Sequence, residues 1–98
     1  MTTVTMVPKF SLGMVVVTPG VQALLKFPQM PVVELSMYIN RHACGDWGDV
    51  HPDDVGANDR SLEDGTRLLS AYVLNGEKIW IITEADRSVT TVLLPDEY

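Results

Sequence analysis

His42, Asp46, Asp49 and His51 stand in one short stretch and carry side chains that can hold a metal ion. Two imidazoles and two carboxylates suit zinc or manganese, and such an ion would support a small metal-dependent hydrolase. Their spacing matches no compact ligand motif. A plainer assignment puts His42 at the negative end of a helix and gives Asp46 or Asp49 the capping of local turns. On that assignment no metal and no cofactor is expected. Cys44 lies two residues from His42, but residues two apart on a helix point in different directions. It is expected to be a small structural side chain. No Ser–His–acid spacing, phosphate-binding glycine loop or pair of acids in an evident cleft is legible, so a binding role is expected before a catalytic one.

A second concentration of polar groups lies near the C-terminus, in Thr83, Glu84, Asp86, Arg87 and Ser88. As a recognition loop, Arg87 would offer a planar donor fork to a phosphate or carboxylate. Glu84 and Asp86 would orient it, or accept from a base or ribose. As a solvated turn, Asp86 would bond local backbone and Arg87 would pair with a carboxylate. Strand pairing, derived below, sets Arg67 beside Glu84, so two arginines would share one edge. The expected ligand- or partner-binding set is Arg67, Thr83, Glu84, Asp86, Arg87 and Ser88, with the aromatic faces of Trp47 and Tyr72 nearby. A structural network of ion pairs fits the same edge. Trp47, between two Gly-Asp pairs, either plugs the core, the commoner outcome for tryptophan, or offers a flat face to a ligand.

These groups must be positioned by a small set of elements. Leu12 to Val17 is rich in β-branched residues and predicts a first strand. Thr18 is placed to cap, and Pro19 to open, a short helix over about Val21 to Phe27. Prolines 28 and 31 end it. A second helix is expected from Pro31 to about Ala43, with Val32, Leu35, Ile39 and His42 on one face. Gly45 to Asp49 reads as a structured loop. Pro52 opens a third helix, about Asp53 to Asp64, which Gly65 closes.

Leu68 to Leu74 and Lys78 to Glu84 flank Asn75-Gly76, whose residues both tolerate positive φ and so mark a two-residue hairpin. That turn sets Leu68 opposite Thr83, Ser70 opposite Ile81, Ala71 opposite Trp80 and Tyr72 opposite Ile79. A second hairpin with Ala85 to Ser88 as its loop sets Thr83 opposite Thr90 and Ile81 opposite Val92. One face then carries Leu68, Ser70, Tyr72, Ile79, Ile81, Thr83, Thr90, Val92 and Leu94. The other carries Leu69, Ala71, Val73, Trp80, Ile82, Thr91 and Leu93. The expected fold is α+β: an antiparallel sheet of three to four strands, with two to three short helices between strand 1 and the C-terminal β-meander.

The chain has 98 residues, enough for a single domain, with residues 1–10 the part expected to be flexible. Two largely apolar sheet faces exceed what short helices cover, so a homo-oligomer or a docked partner is expected. The net charge is −6 and the seven basic residues are scattered, so direct nucleic-acid binding is not expected. No apolar run is long enough to cross a bilayer, the start lacks a signal-peptide pattern, and the single cysteine forms no internal disulfide. A cytoplasmic protein is the expectation.

Three strings carry a resemblance: RHACGDWGDV (Arg41 to Val50), GTRLLSAY (Gly65 to Tyr72) and IWIITEADRSVTTVLLPDEY (Ile79 to Tyr98). They resemble a family of small bacterial proteins carried on plasmids, integrative elements and prophages. These are labelled plasmid-related and sometimes, wrongly, as restriction-system subunits. A methyltransferase subunit would need a cofactor-binding domain that this chain is too short to hold. The resemblance runs from about Thr18 to the C-terminus. It implies a non-enzymatic accessory protein of a mobile element or phage, with anti-defence as one role. The target would be a host protein or a small nucleotide-like anion.

Overall fold

A computed structural model describes residues 7–26 and 31–98. The elements are β1 (Met14–Val17), α1 (Pro19–Leu24), α2 (Pro31–Ala43), α3 (Pro52–Asp64), β2 (Leu68–Leu74), β3 (Glu77–Thr83) and β4 (Val89–Leu93), closed by a 3-10 turn at Pro95–Glu97. The fold is α+β with a single four-stranded sheet in the order β1-β4-β3-β2. The expected segment Pro28 to Met30, and the end of α1 at Phe27, lie outside the described residues.

Asn75 and Gly76 form the tight turn with φ of 51° and 79°. The two central residues of this hairpin turn both need positive φ, which asparagine and glycine reach at least cost. The turn sets the register of β2 on β3, pairing Leu68 with Thr83, Ala71 with Trp80 and Tyr72 with Ile79. The next hairpin pairs Thr83 with Thr90 and Ile81 with Val92. Both match the register expected from the turns.

β1 departs from the expected antiparallel order. It runs parallel to β4, with Met14 beside Val89 and Val17 beside Val92, so the sheet is mixed. Its place at the β4 edge follows from the state of the other edge. An antiparallel edge strand presents N–H and C=O groups outward at alternate residues, here Leu69, Ala71 and Val73. The side-chain amide of Asn58 donates to the Leu69 carbonyl at 2.6 Å and accepts from its N–H at 3.1 Å. Ala71 N–H donates to the Trp47 carbonyl at 3.0 Å, and its own carbonyl accepts from Asp49 N–H at 2.8 Å. Tyr38 O–H donates to the Val73 carbonyl at 2.7 Å. With β2 sealed, β4 offers the edge that β1 can join. Gly48 makes the seal possible: a Cβ there would collide with the Ala71 carbonyl oxygen, and its φ is +71°.

The face carrying Tyr72, Ile79, Ile81 and Val92 packs with Val21 and Leu24 of α1 and Leu35 of α2. Leu74, Ile79, Ile81 and Val92 are fully buried there. Along α2 the inward residues are Leu35, Ile39 and His42. Val32, expected on that face, is 56% exposed. Thr18 does occupy the cap position of α1, but its side chain makes no capping bond. The carboxylate of Glu97 does so instead: it accepts from Gly20 N–H at 3.0 Å and from the Thr18 hydroxyl at 2.6 Å. These bonds, the Thr18 hydroxyl first, hold the Glu97 carboxyl below its usual range. The C-terminal turn is thereby tied to the β1–α1 junction.

Candidate functional site

The most unusual grouping is a chain of polar side chains inside the core. His42, Ser70, Thr83 and Thr90 are each 0% exposed. They come from three strands and the last turn of α2. His42 Nδ1 lies 2.5 Å from Ser70 Oγ and Nε2 lies 2.8 Å from Thr83 Oγ1. Thr83 Oγ1 lies 2.7 Å from Thr90 Oγ1, and the Thr90 hydroxyl donates to the Leu12 carbonyl at 2.7 Å.

The direction of every bond follows from counting protons. A hydroxyl has one proton to give. Thr90 spends its proton on Leu12, so Thr83 must donate to Thr90. Thr83 then accepts from His42, which fixes the proton of the neutral imidazole on Nε2. Nδ1 is left to accept from Ser70. The chain therefore runs Ser70, His42, Thr83, Thr90, Leu12 with one polarity. Burial, and secondarily the positive charge of Arg87, pushes the His42 pKa down to about 4. His42 is thus a neutral core residue, and not the charged partner of the helix end expected from sequence.

Aromatic rings close the network from outside. The Phe10 ring meets His42 edge-on with centroids 5.2 Å apart, and Trp47 does so at 5.7 Å. The Arg87 guanidinium sits over Phe10 at 5.6 Å. Lys9 N–H donates to the Ala43 carbonyl at 2.7 Å, anchoring the segment that carries Phe10. The Ser70–His42 pair has the contact of a nucleophile and its base. However, it is sealed from solvent, and the third group is a neutral hydroxyl that gives an imidazolium no charge to lean on.

The residues singled out from sequence fall into separate places. Trp47 is 4% exposed, and its indole N–H donates to Asp59 Oδ1 at 3.1 Å, so it fills the core. Tyr72 is 2% exposed and stacks on Tyr38 at 4.6 Å, with the Arg41 guanidinium 4.9 Å from its ring. Its hydroxyl donates to the Asp46 carbonyl, and burial pushes its pKa up to about 12. Asp86 Oδ1 accepts from the Ser88 N–H at 3.0 Å and the Ser88 hydroxyl at 2.6 Å, which hold its carboxyl low.

Arg87 and Arg67 do not converge. Arg87 adopts φ of +60°. Its guanidinium donates to the carbonyls of Thr66 at 2.6 Å, Ser61 at 3.0 Å and Glu84 at 3.2 Å. It therefore holds the end of α3, where a cation complements the negative helix terminus. Arg67 donates to the Tyr98 hydroxyl and lies 5.3 Å from that ring's centre. Among the described residues neither arginine pairs with the carboxylate of Glu84 or Asp86. The register that set Arg67 beside Glu84 is present, but the side chains leave in different directions.

The four metal-type residues are also kept apart. Asp46 pairs with Arg41 at 2.8 Å, which lowers its pKa. His51 caps α3 by accepting from Asp53 N–H at 3.1 Å. His42 has both nitrogens engaged. Among the described residues no group of His, Cys, Asp and Glu is arranged to hold a metal ion.

A second cluster was not read as a site from sequence. Trp80 lies on the sheet face opposite α1 and α2. Tyr98 meets it edge-on with centroids 5.8 Å apart, and the Arg67 guanidinium also lies against the Tyr98 ring. Tyr98 is 65% exposed, and Val73, on the same sheet face, is 47% exposed. The signal available in sequence was the alternation that put Trp80 and Val73 on that face. Nothing local said that Tyr98 would fold back to them. No protein-family model, curated protein or solved structure matches the chain.

Proposed function

We propose that the protein is a non-enzymatic binding module that docks a protein partner on the sheet face bearing Trp80, Tyr98 and Arg67. The observation that carries this reading is the side-chain chemistry of that cluster. Tryptophan, tyrosine and arginine dominate the energetics of protein interfaces, because each combines a large apolar contact area with a polar end. Here they are neighbours, and Tyr98 and Arg67 are exposed. The acidic net charge and the resemblance to mobile-element proteins favour a host protein as target, in an accessory or anti-defence role. A nucleotide-like anion is less favoured, because Arg87 is spent on three carbonyls and Arg67 on Tyr98. The alternative of a metal-dependent hydrolase lacks a converged ligand set.

The test is site-specific photo-crosslinking in the host. A crosslinking amino acid replaces Tyr98 in one variant and exposed Val55 of α3 in another. A discrete adduct from position 98, lost when Arg67→Ala is added, supports the reading. No adduct at 98, or the same adducts from both positions, counts against it.

A further inference from the structure

We infer that β1 is a self-association edge, on which a second copy of this chain adds its own β1 antiparallel to form one continuous eight-stranded sheet. This surface is distinct from the Trp80 face and stands on separate observations.

The first is the contrast between the sheet's two edges. Five of the six outward main-chain groups at Leu69, Ala71 and Val73 along β2 meet a partner supplied by α2, the 47–49 loop or α3. Protein sheets commonly guard their edges in such ways, since an open ladder recruits other strands. β1, at the opposite end of the strand order, carries no such guard among the described residues. It reads Met-Val-Val-Val, with no charge, no proline and no bulge, and its residues are 70%, 41%, 37% and 38% exposed.

The second is the geometry of the ladder. Met14 N–H donates inward to the Ser88 carbonyl and Thr18 N–H to the Val92 carbonyl, both at 3.0 Å. By alternation Val16 also faces β4, so Val15 and Val17 turn their N–H and C=O groups outward. An antiparallel copy placed on a two-fold axis at Val16 matches this pattern to itself. Val15 of one protomer exchanges both bonds with Val17 of its partner, and Val17 with Val15. All the outward groups of both strands are then satisfied. The match ends where it should: Pro19 has no N–H to extend it, and Gly13 at φ +63° leaves the strand conformation. A strand of other sequence would satisfy the same main chain. The two-fold, however, also sets Val16 directly against Val16 of the partner and puts an uncharged strand against an uncharged strand. That avoids the repulsion two acidic chains would otherwise meet.

The experiment is sedimentation equilibrium on the full chain at micromolar concentrations. The parent is expected to dimerise. Val16→Lys and Val16→Glu each set like charges face to face on the axis, and each is expected to weaken the dimer by about tenfold or more. An equimolar mixture of the two variants is expected to form a heterodimer, because the same positions then attract. Val15→Pro removes an N–H used only between copies and is expected to give a folded monomer. Circular dichroism and the melting temperature of each variant separate misfolding from lost association. A monomeric parent overturns the inference. So does a dimer that survives both charged variants, or a mixture that fails to pair. A parent that dimerises only after residues 1–6 are deleted overturns it as well, because the chain's own N-terminus would then hold the edge.

Discussion

Acid should weaken this fold well above the range in which its carboxylates titrate, and His42 is the reason. In the folded chain its pKa is about 4, against an ordinary 6.5. The unfolded chain therefore binds a proton near the ordinary value that the folded chain refuses. Above about pH 7 both states hold a neutral imidazole and nothing is lost. As pH falls below the unfolded value, stability drops, and the loss saturates once the folded pKa is passed. Each unit of difference corresponds to about 1.4 kcal/mol, so the full loss is about 3 kcal/mol, with about 2 kcal/mol of it present by pH 5. That is a large share of the ~5–15 kcal/mol that holds a domain of this size. Asp46, Asp86 and Glu97 have carboxyls held low in the fold, so their stability contributions are lost only at more acid pH. The two windows are separable. Urea unfolding at a series of pH values reads the loss, and nitrogen shifts of the imidazole read the proton on Nε2 at neutral pH. Stability that stays flat from neutral to about pH 5, or a His42 imidazole titrating near its ordinary value in the folded protein, refutes the reasoning.

Thr83→Val keeps the shape of the core but leaves His42 Nε2–H without an acceptor; a loss of about 1–3 kcal/mol is expected in denaturant melts. Arg87→Ala should lower stability by about 2 kcal/mol or more, because three carbonyls lose a charged donor. Arg87→Lys should recover only part of that, since it cannot span them; equal melting of the alanine variant and the parent would contradict the staple. Asn58→Leu should expose the Leu69 main chain, so the Leu69 amide should exchange with solvent faster, with a stability loss of about 1–3 kcal/mol. Gly76→Val forces a β-branched residue into positive φ and should lower the melting temperature, at a cost of about 1–2 kcal/mol.

The local signals in this chain were strong and their readings transfer to the structure. Asn75-Gly76 fixed the hairpin because only a few residues take positive φ. From it the pairing of Ser70 with Ile81 and of Leu68 with Thr83 followed as arithmetic, and the Ala85 to Ser88 loop set Thr83 opposite Thr90. Pro31 to Ala43 emerged as a helix with the bounds the pattern implied. The buried network was half visible: the derived register put three hydroxyls on the face that also carried Tyr72, Ile79 and Val92, and placed His42 on the apolar side of a helix. What sequence did not carry was that these four meet, because their meeting depends on how α2 crosses the sheet. The parallel pairing of β1 was hidden for a similar reason. It has no turn signal, and the edge that β1 joins depends on the far edge being occupied. Arg87 was misread as available because its acceptors, the carbonyls of Ser61 and Thr66, carry no side-chain signature.

The seal on β2 also bears on the order in which the chain assembles. Its contacts are nested: Asn58 meets Leu69 across a separation of 11 residues, while Tyr38 meets Val73 across 35, with the 47–49 loop and Ala71 between them. Closing the inner loop shortens the effective path to the next, so the entropy of each later closure is reduced by the one before. The middle of the chain can therefore zip onto β2 from the α3 end outward. Each step uses a contact already brought near, and no long search is needed before the strand has its second neighbour.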